Sequence, residues 1–284
     1  MVERVGLGNV NDRLLRTVEN NRSETAASLA KIASGNRLAG AGEDPSASSI
    51  SAQLRSEIQA LSQAVRNTEA GANFVNTAEG GLATISDLVA RGRELAVQAA
   101  NGTLGDAQRQ SLNQEFTAIR GEIDRTVNSL EFNGQPLLNG NLGADSPNQV
   151  NVQVGTGGGP EDQVNLNVIE NAGTQALGIA TAGISTVEGA LQAFATLGDA
   201  ADRINATRGR VGATGARLSV AVNALGSRIE NLSAAESQLA GTDIAREVSN
   251  LQLSQTRTQA SLQALAAQNR QNLQIPGRLL DIQG

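Results

Sequence analysis

From Leu197 onward the chain places an apolar residue at every seventh position: Leu197, Ile204, Val211, Leu218, Leu225, Leu232 and Leu239, with Val222 and Ile229 at companion positions. Seven residues are close to two helical turns, so the repeat keeps one stripe facing a partner helix. A chain with this repeat is constrained to long helices packed side by side. As one helix the segment would run about 60 Å at roughly 1.5 Å per residue. Gly209, Gly212 and Gly215 fall in its middle. Each weakens a helix by about 1 kcal/mol relative to Ala, which makes this the place for a kink.

Similar stripes recur elsewhere. Near the N-terminus, Leu15, Val18, Thr25, Leu29 and Ile32 read as an a/d stripe interrupted by Arg22. The stretch SGNRLAGAGEDP, residues 34 to 45, breaks that helix. A second helix is predicted from Pro45 or Ser46 to Ala100, with the stripe Leu54, Ile58, Leu61, Val65, Thr68, Ala72 and Val75. It resumes, shifted, at Ala78, Leu82, Ile85 and Val89, and Asn101-Gly102 is its stop. A third helix follows from about Asp106, with Leu112, Phe116, Ile119, Ile123 and Leu130 on its buried face.

Between residues 133 and 183 the period changes to two. Val150, Val152 and Val154 alternate with polar residues, as do Val164, Leu166 and Val168, and GTGGGPED lies between them. This predicts a β-hairpin. After Gly241 a new helical register gives Ile244, Val248, Leu251, Thr258, Leu262 and Leu265, with Pro276 as its expected end. The stripes from 46 to 240 suit one intramolecular bundle. The segments 1–33 and 242–275 lie beyond their breakers with no core of their own. Isolated amphipathic helices are marginal in water, so these ends are expected to order against partners.

Composition excludes most chemistry. The 284 residues include no Cys, His, Trp or Tyr, four Phe and one Met. Without His or Cys there is no Ser–His or Cys–His pair and no ordinary zinc site. Glu43–Asp44 and Glu161–Asp162 are adjacent carboxylates in Gly/Pro-rich loops, where solvated turns are the plain reading. GTGGGP lacks both the Gly-Lys-Ser/Thr ending of a P-loop and the spacing of a dinucleotide fingerprint. The chain reads as a non-enzyme with no cofactor and no metal. A net charge of −6 argues against nucleic acid as the main partner. Residues 1 to 15 carry Glu3, Arg4, Asp12 and Arg13 and do not read as a Sec signal peptide. No segment reaches the roughly 18 apolar residues of a membrane helix.

Several motifs then become specific. RELAVQAANGT spans Arg93–Thr103, after Thr77-Ala78-Glu79-Gly80 and Leu82. Glu122-Ile123-Asp124-Arg125, Phe132-Asn133-Gly134 and Leu137-Leu138 follow in order. Thr242-Asp243-Ile244-Ala245, Glu247 to Leu251, Gln259-Ala260 and Ala267-Gln268-Asn269 lie near the C-terminus. On these residues, over roughly 25–140 and 200–270, the chain resembles the bacterial flagellins. Pro45 after Asp44, and Gly102-Thr103-Leu104 followed by Asp106, are similar instead to the related hook–filament junction protein.

The resemblance implies a mainly α fold: a long antiparallel helical bundle with a small β-hairpin region, and terminal helices forming an intramolecular coiled coil. It divides the chain into an inner-tube helix and spoke (1–44), two parts of the bundle (45–180 with the hairpin, and 181–240) and a second inner-tube helix (241–284). The implied function is an exported structural subunit that polymerises into the flagellar filament used for swimming. A hook-associated junction protein and a soluble helical secreted binding protein are the alternatives.

The partners implied are other copies of the chain, the flagellar export apparatus and its chaperone, and the filament cap and hook-associated proteins, with no nucleic acid and no membrane insertion. The implied location is the extracellular filament, reached without a Sec signal. Assembly is expected to use Leu15, Val18, Leu29, Ile32, Ile244, Val248, Leu251, Leu262 and Leu265. The resemblance also implies contact with the innate-immune receptor Toll-like receptor five at Arg91, Leu95 and Glu115.

Overall fold

The computed structural model describes residues 2–39, 42 and 44–280, and the side chains of 10–39, 42 and 44–270. Five helices dominate: α1 (Val2–Ser34), α2 (Pro45–Ala99), α3 (Asp106–Ser129), α4 (Val187–Ala240) and α5 (Ile244–Leu280). Two small hairpins lie between α3 and α4: β1 (Glu131–Phe132) with β2 (Gln135–Pro136), and β3 (Asn151–Gln153) with β4 (Gln163–Asn165). The chain divides into two compact units. Unit 1 is Met1–Ser56 with Leu232–Gly284, and unit 2 is Glu57–Asn231.

Unit 2 is a three-helix bundle. Antiparallel α2 and α4 are tied by Glu57–Arg228 at 2.6 Å and Glu79–Arg208 at 2.7 Å. Helix α3 turns back along α2, and Arg91 reaches Glu115 at 2.7 Å. At Gly92 the three helices pack against one another closely. A Cβ there would sit 3.2 Å from the Phe116 ring on α3 and 3.5 Å from Leu197 on α4.

The heptad residues Leu197, Ile204, Val211, Leu218 and Leu225 are all buried, as their spacing predicts. The first four meet Leu82, Ile85, Val89, Phe116 and Ile123 in one continuous core. Helix α4 runs unbroken through Gly209, Gly212 and Gly215. Three glycines weaken it by about 3 kcal/mol in all, whereas Val211 and Leu218 each contribute about 1.5–3 kcal/mol by burial, so packing holds the helix together.

The long connection between α3 and α4 is clipped to α3 by side chains. Asp124 accepts from the backbone N–H of Thr174 at 2.9 Å and from its hydroxyl at 2.7 Å. Asn113 accepts from the Ile184 N–H at 2.9 Å, and Arg120 donates to the Ala180 carbonyl. Ile179 and Ile184 are thereby held in the core. The α2–α3 turn has its own clip. The Arg109 guanidinium is largely buried and donates to the carbonyls of Ala99 (3.3 Å), Asn101 (3.0 Å) and Leu104 (2.6 Å).

The expected hairpin forms with Val152 opposite Val164. The shorter β1–β2 hairpin turns at Asn133 and Gly134, with φ of 52° and 76°. Positive φ at both central residues is the turn that matches strand twist, and Asn-Gly is its preferred sequence. These strands are two residues each, too short for period-two alternation to predict the hairpin.

Unit 1 pairs α1 with α5, antiparallel. Asn11 meets Asn269, Asn21 meets Ser261 and Thr25 meets Ser254. Helix α1 ends at Gly35, whose φ of 64° an L side chain rarely adopts. The chain then pairs with the α4–α5 turn: Arg37 N–H donates to Ala240 at 2.7 Å and Thr242 N–H to Gly35 at 3.0 Å.

Two expectations are corrected. Helix α5 does not end at Pro276 but continues to Leu280. A proline near a helix end removes one hydrogen bond and bends the axis without stopping it. The α1 seam also differs from the stripe read from apolar residues. It runs through Asn11, Leu14, Val18, Asn21, Thr25, Ser28 and Ile32, in unbroken steps of three and four, and every one is buried or half-buried. Leu15 and Leu29 lie one position beyond it and are exposed. In this register the small Asn21 enters the seam and the Arg22 guanidinium stays outside. The apolar stripe would put Arg22 beside the seam's path.

Candidate assembly surfaces

On α5 the matching seam is Glu247, Leu251, Ser254, Thr258, Ser261, Leu265 and Gln268, again in steps of four and three and all buried or half-buried. More than half of this seam is hydroxyl or amide. Asn21 and Ser28 are each 7% exposed and Ser254 is 3% exposed. Across the seam, Thr25 and Ser254 share a hydrogen bond at 3.0 Å. The Asn11–Asn269 and Asn21–Ser261 contacts are longer, at 3.4 and 3.5 Å. Several hydroxyls turn back onto their own helix, as Thr25 does to the Asn21 carbonyl and Thr258 to that of Ser254. A net hydrogen bond contributes about 0.5–1.5 kcal/mol, against about 1.5–3 kcal/mol for a buried Leu. The ribbon is therefore held in register more than it is held tightly.

The apolar side chains missing from the seam flank it. Leu15 (51% exposed) and Leu29 (49%) sit just after seam positions of α1, as Val248 (45%) and Leu262 (41%) do on α5. Arg22 and Gln255 fall midway in these two seven-residue rows and line one shared groove with Thr25 and Thr258. One face of the ribbon thus carries two apolar pairs separated by a polar step. Of the nine residues expected to serve assembly, Val18, Ile32, Leu251 and Leu265 lie in the internal seam. Leu15, Leu29, Val248 and Leu262 flank it, and Ile244 is exposed at the start of α5. An apolar stripe does not register the polar seam residues, although Asn, Ser and Thr carry the same spacing of three and four.

The receptor-contact residues implied by the resemblance separate likewise. Leu95 is a core residue at 1% exposure. Arg91 and Glu115 are exposed and pair at 2.7 Å, with Glu94 at 3.0 Å from the same guanidinium. The hydrogen bond to Glu115, then that to Glu94, raises the proton affinity of Arg91. Glu122 is held below the usual carboxylate range by its hydrogen bond to Arg125.

Charge is also partitioned. Unit 2 contains 11 Arg against 18 Asp and Glu, a net −7, and the rest of the chain has 11 basic and 10 acidic residues, a net +1. Among the described residues no group of three or more metal-ligating side chains converges. No described helix is long and apolar enough to cross a membrane.

Two family profiles match. The bacterial flagellin N-terminal helical region covers residues 9–142, and the bacterial flagellin C-terminal helical region covers 194–275. The chain belongs to the bacterial flagellin family. Its members are structural proteins of a filament and not enzymes. Among relatives, the flagellar filament 30.7 kDa core protein of Treponema maltophilum is 33% identical over 258 residues, covering 88% of this chain and 90% of the relative. The flagellin of Bacillus subtilis (strain 168) is 32% identical over 289 residues, covering 90% and 93%. Among solved structures, a protein described as flagellar hook-associated from Vibrio parahaemolyticus aligns with a TM-score of 0.57 at 16% identity, over 70% of this chain and all of that one. That likeness concerns the fold alone. The two profiles and the filament relatives favour the filament subunit over the junction protein.

Proposed function

We propose that copies of this chain polymerise into the extracellular flagellar filament through the flanking face of unit 1. The observation that carries this reading is the inversion in the ribbon: small polar residues inside and Leu15, Leu29, Val248 and Leu262 outside. About half of each side chain remains to be covered. At about 1.5–3 kcal/mol for a full burial, the four together contribute roughly 3–6 kcal/mol per copy. Unit 1 is also loosely closed, which suits passage through the flagellar export channel with its chaperone before the ends order at the growing tip. The cap and hook-associated proteins would meet the same ends. Arg91 and Glu115 are the residues through which Toll-like receptor five would engage a free monomer.

Leu29→Glu combined with Val248→Glu tests the reading. The variant is expected to stay soluble, with the bundle of unit 2 melting as in wild type, and to give no filaments by electron microscopy. Deletion of 242–284 is expected to give the same outcome. Filaments of normal length from either chain would refute the role assigned to unit 1.

A further inference from the structure

An Asn-Gly pair is a place where a chain can attack itself. The glycine nitrogen has no side chain shielding it, and the Asn side-chain carbon lies within reach of a small ring closed by that nitrogen. The sequence has three such pairs: Asn101-Gly102, Asn133-Gly134 and Asn139-Gly140. All three lie in unit 2, and their surroundings differ.

Asn101 and Gly102 are exposed in the α2–α3 turn. The Asn101 Oδ1 accepts from the Thr103 N–H at 3.1 Å and from the Thr103 hydroxyl at 3.0 Å. The Asn101 backbone carbonyl accepts from the Arg109 guanidinium at 3.0 Å and from the Leu104 N–H at 3.2 Å. The Gly102 N–H donates to no acceptor among the described residues, and a Cβ on Gly102 would meet open space. The other pairs lack this set of donors. Asn133 sits at a φ of 52° in the tight β1–β2 turn, and its side chain makes no hydrogen bond among the described residues. Asn139 Oδ1 accepts from a single N–H, that of Asn141 at 3.0 Å, and Asn171 crowds Gly140, 3.1 Å from where a Cβ would stand. Among the described residues no guanidinium reaches the backbone carbonyl of either Asn.

Each donor at Asn101 lies where charge develops when the ring closes. The nucleophile is the deprotonated Gly102 nitrogen, and its negative charge spreads onto the Asn101 carbonyl oxygen. Arg109 holds that oxygen with a charge-assisted hydrogen bond, which favours loss of the Gly102 proton to water. As the nitrogen bonds to Cγ, the Cγ–Oδ1 π electrons move onto Oδ1, where both Thr103 donors already point. The Cγ–Nδ2 bond then breaks, Nδ2 leaves as ammonia with a proton from water, and a cyclic imide remains. Water opens the imide at either carbonyl to give aspartate or isoaspartate. Overall one water enters and one ammonia departs.

We infer that Asn101-Gly102 is a self-modification site, in which Thr103 holds the oxyanion and Arg109 activates the nucleophile. It is independent of the filament reading. Each event adds one negative charge to a chain of net charge −6, in the turn that Arg109 clips. Isoaspartate also lengthens the backbone there, so older copies differ from new ones at one defined place.

The full chain is incubated at neutral pH, and conversion at each Asn is followed by mass spectrometry with electron-transfer fragmentation, which separates aspartate from isoaspartate. Asn101 is expected to react at least about tenfold faster than Asn133 and Asn139, a smaller gain than the roughly 10²–10³ of an enzyme's oxyanion donor because the turn is open to water. In concentrated guanidinium the three pairs are expected to share one rate, with native Asn101 above it and the other two below. Native Asn101 at or below the unfolded rate, or matched by either other pair, would overturn the inference. Thr103→Val removes one oxyanion donor and is expected to slow Asn101 about fivefold, while Thr103→Ser keeps the wild-type rate. A merely loosened turn would speed the reaction. An unchanged or faster rate in Thr103→Val, with a thermal melt equal to wild type, would therefore also overturn it. Should Thr103→Val fail to fold, the comparison of the three native sites with the unfolded chain decides alone.

Discussion

Units 1 and 2 are built from the same material, long helices with apolar or small residues every three or four positions, yet they are closed by opposite means. In unit 2 the heptad positions of α4 are Leu, Ile and Val, and they bury against Phe116 and the α2 stripe. In unit 1 half of the equivalent positions are Asn, Ser and Thr, and Leu15, Leu29 and Leu262 stand beside the seam in solvent. Spacing alone gives the geometry of pairing; what occupies the spacing gives its strength. A seam of small hydroxyls fixes the register of two helices while leaving their apolar surface for something else.

The largest test of that contrast is Phe116→Ala. Phe116 is fully buried where three helices meet. Its truncation is expected to destabilise unit 2 by about 3–5 kcal/mol in denaturant unfolding. Hydrogen exchange of α1 and α5 should be unaffected; if their protection falls equally, the two units do not unfold separately. Next is Arg109→Met. Three carbonyls of the α2–α3 turn lose their donor, and a loss of about 1–3 kcal/mol in the thermal melt of unit 2 is expected.

A smaller change sharpens the other side. Thr25→Val with Ser254→Ala removes both partners of the 3.0 Å seam contact. It is expected to slow amide exchange in α1 and α5, stabilising the ribbon by up to about 1 kcal/mol. Faster exchange would mean that the hydroxyl pair, and not burial, holds the seam. The smallest effect belongs to Glu122→Gln. The folded Glu122 carboxyl is depressed by Arg125. Its contribution is therefore present above pH 4.5, its ordinary value, and disappears as pH falls through the lower folded value. The pair is solvent-exposed, so the variant should melt slightly below wild type at pH 7 and together with it in acid.

Much of this was legible beforehand. The long helices, the breaks at Ser34–Pro45 and Asn101–Gly102, the buried row from Leu197 to Leu225 and the Val152/Val164 hairpin all follow from periodicity and turn chemistry. The unit 1 seam did not, because a helix packs by shape as well as by hydrophobicity, and Asn21 or Ser254 can face a partner where Arg22 cannot. The clips by Asp124, Asn113 and Arg109 were equally hidden. Each joins residues 5 to 71 positions apart, a pairing that only the folded chain brings within reach.

The uneven distribution of charge has a mechanical consequence. With a net −7 on unit 2 and +1 on the rest, any assembly of this chain is a polyelectrolyte whose fixed charge is concentrated on one part of each subunit. Like charges at close spacing resist being crowded on the inside of a bend. Their reach is about 30 Å in 0.01 M salt and about 8 Å at physiological ionic strength. Bending rigidity should then fall as salt is added, and a polymer of these chains would be stiffest in dilute water.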